Sequence, residues 1–171
     1  MIHKSFPTKL MICLMVVASV SVSFPVYGAN ETELRQRIQD QVQSDDQLEG
    51  TEVRIAVKGG DVVLSGTVRL YSQKMRYEQL VWRTPGVMDV DNELRVRPHG
   101  LIADRDIKSH ILNLKHKYPR FQASVIQVTV NKGHISVNGT FHDASDVLFL
   151  KHRIAEIEGV IQIEIEVQYA A

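Results

Sequence analysis

Shifted by 73 positions, the chain falls on itself without a gap: Gly60, Gly66-Thr67 and Gly86-Val87 meet Gly133, Gly139-Thr140 and Gly159-Val160. The apolar rhythm between these points coincides as well. Val53, Ile55 and Val57 lie over Ile126, Val128 and Val130, and Val62 and Leu64 over Ile135 and Val137. Few identities with one shared pattern mean that a folding unit has been copied. The copy retains punctuation and core, so it constrains architecture far more than chemistry.

The segment ahead of the repeats reads differently. A basic start at His3, Lys4 and Lys9 precedes an apolar run from Leu10 to Val22 that is too short to span a bilayer as a stable helix. This is the pattern of a secretory signal peptide, residues 1–28, with cleavage expected after Gly28. Cys13, the only cysteine, sits inside the apolar run without the small residue that precedes a lipidated cysteine, so no lipid anchor is expected. A mature chain without thiols has no thiol catalysis, thiolate metal site or disulfide, although an exported protein could have used the last. It would carry 18 basic side chains against 20 acidic ones, a net charge of −2 that does not suit a general nucleic-acid binder.

Each repeat reads as helix, strand, strand, helix, strand. In the first, Leu34, Ile38 and Val42 recur at helical spacing behind Asn30 and Thr32, candidate caps, which predicts a helix over 32–43. The second repeats it with Ile107, Ile111, Leu114 and Tyr118. Two alternating runs then flank Lys58-Gly59-Gly60-Asp61 and Asn131-Lys132-Gly133-His134, the pattern of a hairpin in which Gly60 or Gly133 takes a positive φ. Ser72 and Ser145 are placed to cap second helices over 72–83 and 145–157, and a last strand carries Met88, Val90, Leu94 and Val96, or Ile161 to Tyr169. The expected fold is α+β: two tandem small α/β sandwiches, each with two helices on one face of a three-stranded sheet. The domains would be 29–97 and 104–171, with Pro98 and Gly100 marking a linker at 98–103.

With its Gly-Thr in the second strand (Ser65-Gly66-Thr67-Val68; Asn138-Gly139-Thr140-Phe141) and Gly-Val before the third, each copy resembles the BON domain. A signal peptide followed by two such domains resembles the periplasmic tandem-BON, OsmY-like and DolP-like, envelope proteins of Gram-negative bacteria. The resemblance covers about Thr32 to Ala171, and Ile165 departs from it where the first copy has Asn92, a polar position in the family. It implies a non-enzymatic envelope role under osmotic or other stress, with phospholipid association and chaperone-like care of exported proteins as its two themes.

The individual residues add little chemistry of their own. Gly66 and Gly139 read as close-packing positions under a helix, and Asn92, in the inward phase of its strand, as a structural amide with its hydrogen bonds satisfied. Gly60, Gly86, Gly133 and Gly159 complete the set of structural glycines. His110, His116, His134, His142 and His152 crowd the second copy, yet their spacings do not converge as metal ligands must, so neither metal nor cofactor is expected. Nothing resembles a nucleophile elbow or a catalytic acid pair, and no enzyme is expected.

The informative difference between the copies is electrostatic. Residues 32–49 carry a net charge of −3 and the equivalent residues 105–122 a net charge of +4. Lys108, Lys115, Lys117 and Arg120 would attract anionic head groups, with Tyr118 and Phe121 inserting shallowly. The same charges would equally dock the basic helix against Asp45, Asp46 and Glu49 of the first copy, or simply face solvent. Tyr118 and Phe121 also fit a core, since Phe121 aligns with Leu48. Anionic phospholipid is thus the expected partner, in the periplasm and peripheral to a membrane, with no nucleic acid. The alternative is a protein-binding or chaperone-like module for unfolded exported proteins or outer-membrane assembly components, using a free sheet edge such as 53–57 or the closing strand.

Overall fold

The computed structural model describes residues 27–122 and 124–169, with side chains from Asn30 onward. The alternating runs form β1 (Glu52–Lys58) and β2 (Asp61–Val68), paired antiparallel from Glu52↔Thr67 to Lys58↔Asp61. Their copies are β5 (Val125–Asn131) and β6 (His134–Phe141), paired from Val125↔Thr140 to Asn131↔His134. Both central residues of each turn have positive φ: +61° and +99° at Gly59 and Gly60, +50° and +76° at Lys132 and Gly133. That is the backbone a two-residue hairpin needs to follow the strand twist. It asks one residue more of the left-handed region than the lone surviving glycine, and Lys132 supplies it.

An acidic side chain from the first helix of each unit closes on this turn. Glu31 Oε1 accepts from the Gly59 amide at 2.8 Å. Asp104, its equivalent, accepts from the amides of Lys132 at 2.7 Å and Gly133 at 3.0 Å. These helices are α1 (Tyr27–Gln43) and α3 (Asp104–Lys117), which bury Leu34 and Ile38, or Ile107 and Ile111, against their sheets. Because α1 begins at Tyr27, Asn30 and Thr32 lie within it rather than capping it. The expected signal peptide, residues 1–28, lies outside the described residues apart from the helical Tyr27 and Gly28.

The second helices, α2 (Tyr71–Trp82) and α4 (Ala144–Ala155), carry the chain across so that the next strand can lie parallel to β2 or β6. Neither serine caps them. Gln73 Oε1 takes the Arg69 and Leu70 amides at 3.0 and 3.2 Å, and Asp143 Oδ1 takes the Ser145 amide at 2.6 Å. Each serine falls two residues past the N-cap, too far into the helix to serve.

The last strands differ. β7 (Gln162–Tyr169) pairs with β6 along its whole length, from His134↔Gln162 to Phe141↔Tyr169. Its counterpart is split into β3 (Asp89–Asn92) and β4 (Arg95–Val96). Asn92 is the cause: its Oδ1 accepts from the Leu94 amide at 3.3 Å, while its Nδ2 donates to Lys74 O at 3.1 Å and Glu78 Oε2 at 3.0 Å. Lys74 Nζ then donates to Leu94 O at 2.9 Å. The backbone groups released from the ladder are thus satisfied by side chains from Asn92 and α2. Ile165, at the equivalent position, offers no such acceptor and the strand runs on. Met88, expected on the inner face, is exposed.

The result is α+β, with two mixed sheets and a helical layer on one face of each. One core holds Ile38, Leu64, Tyr77, Val81 and Leu94, and the other Ile107, Phe121, Phe141, Leu150 and Ile154. Gly66 and Gly139 are close-packed, but against strands rather than helices. A Cβ on Gly66 would run into the Glu52 carbonyl oxygen of β1, and one on Gly139 would meet Phe141 Cε2 at 2.6 Å and Val125 O at 3.0 Å. Gly86 and Gly159 turn the chain out of α2 and α4 at φ +101° and +94°.

Candidate functional site

Every turn of α3 that buries an isoleucine turns its other positions outward. Ile107, Ile111 and Leu114 form the inward stripe. At 100° per residue, Lys108 and Lys115 fall on one flank of this stripe and Lys117 on the other. They bracket an outward face that includes Arg105, the exposed Leu112 and His116. Among the described residues Lys108, Lys115 and Lys117 make no ion pair. Lys117 Nζ rests 5.5 Å from the Tyr118 ring centroid. Three ammonium groups on a helix with an apolar side chain between two of them can meet a polyanionic surface without first leaving a partner.

Arg120, Tyr118 and Phe121 belong elsewhere. Pro119 ends α3, and the short 3-10 turn Pro119–Phe121 sends Phe121 into the core, where it is 0% exposed. It cannot insert into a lipid surface. Tyr118 packs edge-on against Phe149 at a centroid distance of 4.9 Å and against Phe121 at 6.3 Å. Arg120 Nε donates to Asp146 Oδ1 at 2.6 Å, its Nη2 donates to Ser145 Oγ at 3.2 Å, and its guanidinium lies 4.7 Å from the Phe149 ring. Of the six side chains expected at a lipid surface, the lysines are free to act and these three are spent on fixing the turn to α4.

The first unit fixes the same turn with different chemistry. Its 3-10 turn is Asp46–Leu48, and Leu48 is buried as Phe121 is. Arg76 Nε donates to Asp45 Oδ2 at 2.6 Å, and Gln73 Nε2 donates to Gln47 O at 3.1 Å. Under the 73-residue shift, Asp45 and Arg76 become Tyr118 and Phe149, and Gln47 and Gln73 become Arg120 and Asp146. An ion pair in one copy is an aromatic pair in the other, and a polar contact is an ion pair.

The carboxylate of Asp45, held by Arg76, does not meet α3. Among the described residues no ion pair joins Asp45, Asp46 or Glu49 to the 105–122 segment. The docking expected between the acidic and basic helices is therefore not how the two units meet. They meet through α2 and α4: Tyr71 and Met75 pack on the second core, Arg69 Nε lies 3.5 Å from Glu158 Oε2, and the His99 amide donates to Glu158 Oε1 at 2.8 Å. Burial, then the charge of Glu78, push the Tyr71 hydroxyl above the usual phenol range, and a hydrogen bond with the Ile163 backbone opposes them.

The five histidines of the second copy lie exposed. Among the described residues no group of three His, Cys, Asp or Glu side chains is placed to hold a metal, and no helix is long and apolar enough to cross a membrane. An open groove of about 970 Å³ runs beside the inter-unit contact, lined by Gln47, Glu52, Arg69, Leu70, Gln73 and Arg97 among others.

Residues 30–98 match the BON domain family, so a BON domain is present in the first unit. No curated protein matches the chain. Among solved structures, the chain is similar to the C-terminal domain of CdsD, the structural protein of the type III secretion system of Chlamydia trachomatis, at 18% identity and a TM-score of 0.30. That match covers 79% of this chain and 64% of the other. A second CdsD structure is similar at 15% identity and a TM-score of 0.30, over 81% of this chain and 92% of that one.

Proposed function

We propose that this chain, with a BON domain at residues 30–98 and a second, equivalent unit behind it, is a non-enzymatic tandem-BON envelope protein of the periplasm. Its OsmY-like or DolP-like role would be to lie peripherally on anionic phospholipid through α3. The observation that carries the reading is the set of three lysines without an ion pair among the described residues, Lys108, Lys115 and Lys117, flanking an outward face that contains Leu112. Each cation near an anionic surface contributes about 1 kcal/mol, so three of them supply about 3 kcal/mol at low salt. A shallow apolar contact from Leu112 adds to this, and added salt removes most of the electrostatic part.

Co-sedimentation with phosphatidylglycerol-containing vesicles tests it. Binding is expected at low ionic strength, to be weakened about 100-fold by replacing the three lysines with glutamine, and to be unchanged by Arg120→Gln in a protein that remains folded. Absence of binding to anionic vesicles, or binding indifferent to the three lysines, refutes the reading. The chaperone-like alternative draws on a separate feature: β5 is an edge strand, and Val125 at its start is exposed. An extended client could add a strand there. Suppression of client aggregation in the absence of lipid, abolished by Val125→Pro, would favour that second role.

A further inference from the structure

The contact between the two units is unlike-to-unlike. It joins the N-terminal half of α2, with Tyr71 and Met75, to the second core, the cluster that includes Ala155 at the end of α4 and Ile163 at the start of β7; Tyr71 hydrogen-bonds the Ile163 backbone, and Arg69 reaches Glu158 between the two elements. Because the units are copies, each of these patches has a twin under the 73-residue shift. Tyr71 and Met75 become Ala144 and Leu148 on α4, and Ala155 and Ile163 become Trp82 and Val90 on α2 and β3. Each twin presents an exposed large side chain, Leu148 at 60% and Trp82 at 49%, with Val90 half-buried beside Trp82, whereas Ala155, the twin of Trp82, is 0% exposed. The bulk has changed sides along with them. Within the chain the large Tyr71 packs on a cluster whose α4 end is the small Ala155, while on the twins the first patch offers small Ala144 and the second large Trp82. A closed two-fold pairing would use both patches of each unit, but this contact uses one from each and leaves one on each.

We propose that the open patches bind each other between two copies of this chain, head to tail. The Ala144 and Leu148 face of one molecule sits on the Trp82 and Val90 face of the next and repeats between molecules the contact that already joins the units within one. Stacked repeats propagate by nearest-neighbour interfaces of this kind. The patch is small, which places the association in the weak class, with dissociation constants between about 10 μM and about 1 mM.

Sedimentation equilibrium across that concentration range reads the outcome. The wild-type chain should rise in weight-average mass with concentration, and Leu148→Asp and Trp82→Asp should each stay monomeric with an unchanged far-UV spectrum. Leu148→Asp keeps an intact Trp82 face and Trp82→Asp an intact Leu148 face. An equimolar mixture should therefore form dimers and stop there, a result that no symmetric interface gives. A wild-type chain that stays monomeric, association that survives either substitution, or a mixture that remains monomeric overturns the proposal. Both side chains are exposed, so the substitutions leave the cores intact. If one of them nevertheless unfolds the chain, Leu148→Lys or Trp82→Arg takes its place.

Discussion

Gly66 and Gly139 are equivalent in sequence and unequal in mechanics, which makes alanine at each a discriminating experiment. At Gly66 φ is +131°, backbone that a residue with a Cβ adopts only under strain, at a cost of about 1–3 kcal/mol. The new methyl group would also press on the Glu52 carbonyl oxygen, and a backbone atom in a paired strand cannot swing aside, which adds about 1–3 kcal/mol of overpacking. The total of about 2–6 kcal/mol is a large part of what a unit this small possesses. Gly139 lacks the positive φ, and its neighbours are the edge of the Phe141 ring and Val125 O, so only the overpacking part, about 1–3 kcal/mol, applies. Trp82 is the single tryptophan and lies in the first unit, so its fluorescence follows that unit while far-UV circular dichroism follows both. With a urea slope near 1 kcal/mol/M, Gly66→Ala should lower the fluorescence midpoint by about 2 M or more. Gly139→Ala should move mainly the dichroism of the second unit, and by less. Equal shifts, or a Gly66→Ala cost below about 1 kcal/mol, would refute the assignment of strain to Gly66.

Three further outcomes follow from the packing. Phe121→Ala, which empties a site in the second core, should destabilise that unit by about 3–5 kcal/mol in chemical denaturation, yet leave the vesicle binding of folded protein unchanged; a selective loss of binding would return Phe121 to the surface. Asn92→Ile removes the acceptor of the Leu94 amide and the donor to Lys74 O and Glu78, and should cost about 1–3 kcal/mol in a urea titration; a neutral result would mean that β3 and β4 simply join, as β7 does around Ile165. Asp143 is held below the usual carboxylate range by the Ser145 amide and hydroxyl, with burial opposing and the charge of Arg120 assisting. Its contribution is therefore complete above the unfolded carboxylate pKa and fades as pH falls through the lower native value. Asp143→Ala should flatten this part of the acid limb in a pH series of thermal melts, and an unchanged acid limb would contradict the assignment.

The sequence carried the order of elements and the buried phase of each because both rest on local period. Leu34 and Ile38, Val62 and Leu64, and Ile107 and Ile111 all point inward as their spacing requires. The positive φ at Gly60 and Gly133 was legible for the same reason. What escaped lies in contacts between distant residues. Glu31 and Asp104 reach hairpin turns 28 residues away, and their only trace in the sequence is that both positions are acidic. The split of the third strand depends on Asn92 competing for Leu94, a matter of one side chain and one amide. For the candidate site, helical geometry alone separated Lys108, Lys115 and Lys117 from the core stripe. Tyr118, Arg120 and Phe121 read as interfacial because aromatic and cationic neighbours look alike in a core turn and on a membrane face, and the alignment of Phe121 with Leu48 was the decisive signal.

The exchange of an ion pair for an aromatic pair also bears on how the chain reaches its fold. Two copies of one topology on a single polypeptide can trade parts, and such cross-assembly is a characteristic failure of repeat proteins. If the turn of one unit closed on the second helix of the other, Asp45 would be pressed against the ring of Phe149, and Tyr118 would take the place of Asp45 at the guanidinium of Arg76. A carboxylate moved from a guanidinium to a phenyl face loses its compensation for leaving water. The wrong pairing is penalised at the first contact each turn makes, so the two units sort their own pieces while sharing one architecture.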